Sequence, residues 1–370
     1  KRKKLMKKIN KNILIATGGT GGHIFPSLSL AKFLSKNYNL QMVSDNRGLK
    51  FLQNTENMKV KIINSGTIFK KNFLHILLGV LKIITAFIYS FCFLIYSRPN
   101  LIIGMGGYSS FPICIAGFLL RIPVIIYENN LIIGRANKFL LPIVKKIILS
   151  TKNTSGINPK YKKKSSVCGY ILNENIYNFN NPKKISNSHK EISILIMGGS
   201  QSAKIFGETL PLEIVKCSER GVKFTIYQQC LENQINEIKK IYKKFNIQCE
   251  LFTFSKDMIK YYQKSDLAIT RSGASSLAEL TNLRIPFIAI PLPSSADNHQ
   301  FMNANYFREK GYCYLLEEKF ISDNLYKILV DLSINQKKLR DISEKMSQHS
   351  DKNIFSKIEK LLKETLNEQN

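Results

Sequence analysis

Ile13-Leu14-Ile15-Ala16 runs directly into Thr17-Gly18-Gly19-Thr20-Gly21-Gly22-His23. A short apolar run without polar alternation reads as a parallel strand buried on both faces, and the glycines after it read as a turn into a helix. Glycine tolerates positive φ and brings no side chain, so backbone N–H groups and the positive end of the next helix can face an anion. The pattern recurs at Ile194-Leu195-Ile196-Met197, followed by Gly198-Gly199-Ser200-Gln201-Ser202-Ala203. Two copies predict an α/β protein with two nucleotide-type lobes. Neither copy fits the dinucleotide pattern G-x-G-x-x-G well, and neither carries the Lys-Ser/Thr of a P-loop, so a nicotinamide enzyme or an NTPase falls in rank.

With 370 residues and 44% hydrophobic content, the chain is large enough for two packed domains. Short apolar runs alternate with helical stretches, as parallel βαβ units require. In the first half the runs are Ile13–Ala16, Leu40–Val43, Leu101–Ile103, Val124–Tyr127 and Lys146–Leu149. The polar stretch Thr151–Ser166 reads as the linker region. Ile192–Met197, Lys223–Gln228, Cys249–Phe252, Leu267–Thr270 and Phe287–Ile290 repeat the alternation, and Asp323–Leu366 reads as helix. The expected domains are 1–168 and 169–345, with a helix at about 346–370 packing back on the first.

The net charge of +29 is compatible with nucleic acid, an anionic membrane face or a general lysine bias. No helix-turn-helix, zinc finger or aromatic sheet motif accompanies it, so nucleic acid is not an expected partner. Seven scattered cysteines form no C-x-x-C pair and suggest neither zinc nor a disulfide framework. Lys1–Lys11 is basic and polar without a secretory apolar core, and the expectation is a cytoplasmic protein.

Ligands of doubly wound sheets sit outside the carboxyl ends of the strands. There the chain carries Gly104-Met105-Gly106-Gly107-Tyr108-Ser109-Ser110-Phe111-Pro112 and Glu128-Asn129-Asn130 leading to Lys138. Further on come Arg271-Ser272-Gly273-Ala274-Ser275-Ser276-Leu277-Ala278-Glu279-Leu280 and Asp297-Asn298-His299-Gln300 leading to Ala304. Through these clusters, taken in order with Gly18–His23 and Gly198–Ala203, the chain resembles the MurG family of bacterial transferases, which add N-acetylglucosamine to lipid I to make lipid II. The resemblance implies a GT-B fold, two Rossmann-like domains with a cleft between them. It further implies an inverting, metal-independent transfer from UDP-N-acetylglucosamine with no cofactor, in peptidoglycan biosynthesis.

By the same resemblance, Thr20, Gly21, Gly22, Asn130, Asn173, Ser200, Gln201, Ser255, Ala274, Ser275, Ser276, Glu279 and Gln300 would bind the donor, and Gly106, Gly107, Tyr108 and Ser109 would form the acceptor diphosphate loop. The chemistry suits these residue types. UDP leaves with charge gathering on its diphosphate, and the turn at Gly198–Ser202 offers N–H donors, with Ser200 and Gln201 adding side-chain ones; alternatively Ser200 only caps the helix. Glu279 suits the two ribose hydroxyls, or a salt bridge on a helix face. Ser255 would act through its backbone. His23 is the candidate general base, with Glu128 as the alternative or as the group that positions it; a bland alternative leaves His23 bonding its own loop.

Two departures from the family pattern stand out. Tyr127-Glu128-Asn129-Asn130 replaces a His-Glu-Gln-Asn stretch, and Gly169-Tyr170-Ile171-Leu172-Asn173 replaces Gly-Asn-Pro-Val-Arg, so Asn173 stands where a diphosphate-binding arginine is expected. That loss motivates a rival reading as a non-catalytic binding subunit. Another rival is a transferase for a different lipid acceptor.

Ile76–Tyr96 is almost continuously apolar, broken by Lys82, and long enough for a membrane span. A span would place Ile13–Ala16 and Leu101–Ile103 on opposite sides of the bilayer although both belong to one sheet. His75, Lys82, Thr85, Tyr89 and Tyr96 gather into one stripe. The run reads as a helix lying on an anionic membrane surface, aided by Lys70, Lys71 and Lys82, on the cytoplasmic face of the bacterial inner membrane.

Overall fold

The computed structural model describes residues 10–19, 21–52, 59–66, 73–179, 191–255 and 257–368, and they form two compact units, 1–173 with 351–370, and 174–350. The first unit is built on seven parallel strands: β1 Asn12–Ala16, β2 Asn39–Ser44, β3 Lys59–Ile62, β4 Leu101–Gly104, β5 Val124–Glu128, β6 Lys146–Leu149 and β7 Ser165–Val167. Its helices are α1 Gly21–Leu34, α2 Asn46–Leu52, α3 Phe73–Ser97, α4 Ser110–Leu119 and α5 Arg135–Leu140. The second unit has helix α6 Glu174–Tyr177 and strands β8 Glu191–Met197, β9 Lys223–Gln229, β10 Gln248–Phe252, β11 Leu267–Thr270, β12 Phe287–Ala289 and β13 Cys313–Leu315. Helices α7 Gly199–Ser218, α8 Ile235–Lys244, α9 Ile259–Lys264, α10 Ala274–Asn282, α11 His299–Glu309, α12 Tyr326–Ile334 and α13 Lys337–Met346 complete it, and α14 Ile354–Asn367 returns to the first.

The sheet orders are β3-β2-β1-β4-β5-β6-β7 and β10-β9-β8-β11-β12-β13. In each, the strand that precedes a glycine turn is central, and the order reverses beside it: β1 pairs with β2 and β4, and β8 with β9 and β11. Both glycine turns thus lie at the topological switch point where such sheets take ligands. The carboxyl halves of the central strands are buried on both faces, which is why Ile13–Ala16, Leu101–Ile103 and Ile194–Met197 read as unbroken apolar runs.

The polar stretch 151–166 is not a linker. Its last residues enter β7, which pairs with β6 at the edge of the first sheet, and Pro159–Lys164 forms a 3-10 turn before it. The carbonyls of Pro142 and Val144 accept from Lys164 Nζ, so this lysine ties the segment to the loop before β6. The tail is three helices rather than one. Among them α14 packs on α1, with Phe355 stacked on Phe33 at 4.7 Å and Asn37 Nδ2 donating to Glu359 Oε1 at 3.0 Å.

Helix α3 leaves β3 and returns to β4 of the same parallel sheet, so it is a crossover. Gly79, Ala86, Ser90 and Leu94 face inward, and the Ser90 hydroxyl is spent on the Ala86 carbonyl. Leu77, Leu81, Ile84, Ile88 and Ile95 form an outward stripe whose exposure runs from 45% to 56%. By length and composition the helix is long and apolar enough to cross a bilayer; in the chain it connects two strands of one parallel sheet. Lys82, Thr85, Tyr89 and Tyr96 are all exposed, while Lys70 and Lys71 and the His75 side chain lie outside the described residues.

Candidate active site

In the first unit a residue that carries no motif organises the glycine turns. Asp45, at the end of β2, is 3% exposed. Its Oδ1 and Oδ2 accept from Gly19 N at 3.2 Å each, Oδ1 accepts from Gly48 N at 3.0 Å, and Oδ2 from Ser109 Oγ at 2.9 Å. Arg47 Nε and Nη2 donate to Oδ2 at 3.0 and 2.6 Å. Burial pushes this carboxyl up, but the bonds from Arg47, Gly19 and Ser109 and the Arg47 charge outweigh it and hold the group below the ordinary carboxylate range.

The turns after β1 and β4 are thereby pressed together. A Cβ on Gly18 would overlap the Ser109 hydroxyl, and one on Gly107 would lie 2.5 Å from the Gly18 carbonyl oxygen. Gly106 has φ +90° and carries the His23 ring against its α-carbon, where a Cβ would sit 2.8 Å from Cε1. His23, third residue of α1, is therefore seated on the second glycine turn, half-buried. Gly21 opens the helix and Gly22 is exposed; Thr20 lies outside the described residues. Tyr108 is half-buried and Ser109 is buried.

Glu128 closes β5 with 1% exposure. Its Oε1 accepts from Asn130 N and Nδ2 at 3.0 and 3.1 Å, and its Oε2 from Gly134 N and Asn137 Nδ2 at 2.8 and 3.0 Å. The carboxylate is thus the hub of the 129–137 loop and fixes the Asn130 amide. Tyr127, which replaces a histidine of the resembled pattern, is 2% exposed; its hydroxyl donates toward Asn129 Oδ1 and accepts from Ile171 N at 3.0 Å each. It pins the segment that ends at Asn173, which is exposed and directly precedes α6. Gly169 in that segment has φ +115° and abuts the Asp351 carboxylate, which accepts from Tyr170 N at 3.2 Å.

In the second unit, Gly199 adopts φ +67° with open space where a Cβ would point, so the turn is bare on one side. Its N–H donates to Gln229 Oε1 at 3.2 Å, and Gln229 Nε2 donates to Thr253 O at 3.1 Å. Gln229, at the end of β9, ties the glycine turn to the loop that holds Ser255, whose hydroxyl accepts from Asp257 N at 3.2 Å. Ser200 and Gln201 open α7, and their side chains lie outside the described residues.

Helix α10 begins at Ala274 behind Gly273, and Leu277 N makes its first helical bond, to Gly273 O. The first-turn N–H groups of Ala274, Ser275 and Ser276 precede that bond and point out of the helix end. Arg271 is buried, donating to the carbonyls of Ile290 and Pro291 and paired with Glu318, with its guanidinium over Phe206. Gln300 Oε1 accepts from Ser272 N at 3.1 Å and Leu292 N at 3.0 Å, so its Nε2 donor is turned away from the loops it holds. Asp297 and Asn298, both left-handed at φ 52° and 54°, form the tight turn that delivers Gln300 at the start of α11.

Glu279, one turn further along α10, accepts from Tyr262 Oη at 2.7 Å. Burial raises its carboxyl to about 7, with the Tyr262 bond opposing. Glu250 receives an equivalent bond from Tyr261 at 2.8 Å, yet its carboxyl is held below the usual range by that bond and by Lys260 and Lys264. The two phenol–carboxylate pairs differ in exposure to solvent, and desolvation decides the sign.

Residues 13–149 match the glycosyltransferase family 28 N-terminal domain and residues 193–362 its C-terminal domain. The chain belongs to glycosyltransferase family 28. It is 38% identical over 361 residues to the UDP-N-acetylglucosamine–N-acetylmuramyl-(pentapeptide) pyrophosphoryl-undecaprenol N-acetylglucosamine transferase of Pelagibacter ubique, covering 97% of this chain and 100% of that one. The transferase of the same name from Rickettsia felis is 36% identical over 351 residues, covering 91% and 94%. Among solved structures, MurG of Acinetobacter baumannii superposes with a TM-score of 0.76 at 26% identity over 96% of this chain and 99% of that one.

The interlocked turns make a sharp prediction. Gly107→Ala must both hold a left-handed φ of +82° and displace the Gly18 carbonyl, so it is expected to cost about 2 kcal/mol or more, read as a lowered urea midpoint. Gly199→Ala, with the same sign of φ but open space around it, should cost about 1 kcal/mol.

Proposed function

We propose that this chain transfers N-acetylglucosamine from its UDP donor to the undecaprenyl-diphosphate-linked muramyl peptide, lipid I, with inversion and without a metal. The observation that carries the reading is identity of 38% to a transferase so named, across 97% of the chain. The second unit takes the donor. The head of α7 just after the Gly198–Gly199 turn, whose Gly199 N–H is held by Gln229, and the first-turn N–H groups of α10 receive the diphosphate, where negative charge grows as the sugar leaves. Glu279 accepts the ribose hydroxyls, and the Gln300 amide donates to the sugar. With Asn173 in place of arginine, this stabilisation rests on backbone donors and helix ends.

The first unit takes the acceptor. The turns around Gly106, Gly107 and Ser109 receive the acceptor diphosphate, and His23, resting on Gly106, takes the proton from the attacking hydroxyl. Glu128 acts by positioning: four N–H bonds occupy its oxygens and hold Asn130 in place. The apolar stripe of α3, with Lys82 beside it, lies on the membrane surface where lipid I resides, so the enzyme is peripheral.

Transfer of radiolabelled N-acetylglucosamine to a short-chain lipid I analogue in EDTA tests this reading. Wild type is expected to transfer and Glu279→Ala to lose at least about tenfold in kcat/KM. No transfer by folded wild type that still binds UDP would contradict it. The Glu279 carboxyl, raised to about 7, also sets a pH dependence. UDP-N-acetylglucosamine binding needs the carboxylate, so affinity should fall as pH drops through about 7, and Glu279→Gln should remove that step. Calorimetry across pH 6 to 8.5 reads it, because the donor's diphosphate diester does not titrate there.

A further inference from the structure

We propose that Tyr262 is a positioning residue for donor recognition: its phenol fixes the Glu279 carboxylate in the orientation that accepts the two ribose hydroxyls. The inference rests on the reading of Glu279 as the ribose acceptor and adds the group that makes it effective. Tyr262 is 4% exposed, on α9, and its hydroxyl donates to Glu279 Oε2 at 2.7 Å while lying 3.8 Å from Met197 Sδ at the end of β8. The phenol therefore bridges the strand that leads into the glycine turn and the helix that carries the carboxylate.

A glutamate has three side-chain torsions, and a vicinal diol requires its carboxylate in one plane and one place. The Tyr262 bond engages Oε2 from the protein side and leaves Oε1 and the second lone pair of Oε2 for ligand hydroxyls. It also supplies one charge-assisted donor to a carboxylate that burial disfavours, which opposes burial and favours the ionised acceptor. Burial and the neighbouring Glu279 raise the phenol itself well above its ordinary value, so it remains a donor throughout the working range. The adjacent Tyr261, bonded to Glu250 at 2.8 Å and stacked on Phe252, is a natural control: the same chemistry, one residue away, on a carboxylate outside the donor cluster.

The test is calorimetric binding of UDP and of 2′,3′-dideoxy-UDP at pH 8 to wild type, Tyr262→Phe, Tyr261→Phe and Glu279→Gln. The expected result has wild type preferring UDP at least about tenfold. Tyr262→Phe should lose about threefold of that preference with affinity for the dideoxy nucleotide unchanged, Tyr261→Phe should keep it all, and Glu279→Gln should lose most of it. Equal binding of the two nucleotides by wild type would overturn the ribose role of Glu279 and the proposal with it. A preserved preference in Tyr262→Phe, or a parallel loss of both nucleotides, would overturn the proposal alone. In transfer assays the same variant should raise KM for the donor and leave kcat within about twofold, since the ribose contact is common to ground and transition states.

Discussion

The carboxylate of Asp45 holds together what two glycine turns cannot hold by themselves. Glycine-rich backbone carries a large conformational entropy and few side-chain contacts, so the turns after β1 and β4 would otherwise fluctuate. Asp45 collects N–H and O–H donors from Gly19, Gly48 and Ser109 and from Arg47, all at one buried point. With the turns drawn together, a Cβ on Gly107 would run into the Gly18 backbone, one on Gly18 into the Ser109 side chain and one on Gly106 into the His23 ring. The seat of His23 is a consequence of that packing.

The second unit solves the corresponding problem with neutral amides. Gln229 joins the Gly199 turn to the β10 loop, and Gln300 joins the β11 and β12 loops. Each amide spends its oxygen on backbone N–H groups. Here the one carboxylate of interest, Glu279, is held by a phenol and kept near its point of ionisation by burial, whereas Asp45 is held by five polar atoms and stays ionised. The contrast suits one group that holds structure and another that meets a ligand.

Much of this was legible in the amino-acid sequence, and the misses have physical causes. Central strands announce themselves because burial on both faces demands unbroken apolar residues, as in Leu101–Ile103. The edge strands Lys59–Ile62, Ser165–Val167 and Cys313–Leu315 are short and pair on one side only, so neither composition nor period marks them. Glycine clusters were visible as sites, but their second purpose, the close approach of one turn to another, depends on which turns become neighbours. Asp45 was invisible because its partners lie 26 and 64 residues away and it belongs to no pattern. Tyr262 belongs to no motif and reads as an ordinary helix residue until Glu279 is placed against it.

On the function proposed above, a division of labour follows, in which the Asp45 knot would serve acceptor and proton transfer while the amide-linked loops of the second unit would serve the donor. The direct test is Asp45→Asn, which keeps the side-chain shape and removes its charge. Transfer to the lipid I analogue should fall at least about tenfold while calorimetric affinity for UDP-N-acetylglucosamine stays within about twofold of wild type. Unchanged transfer, or a parallel loss of donor affinity in a folded variant, would contradict the account.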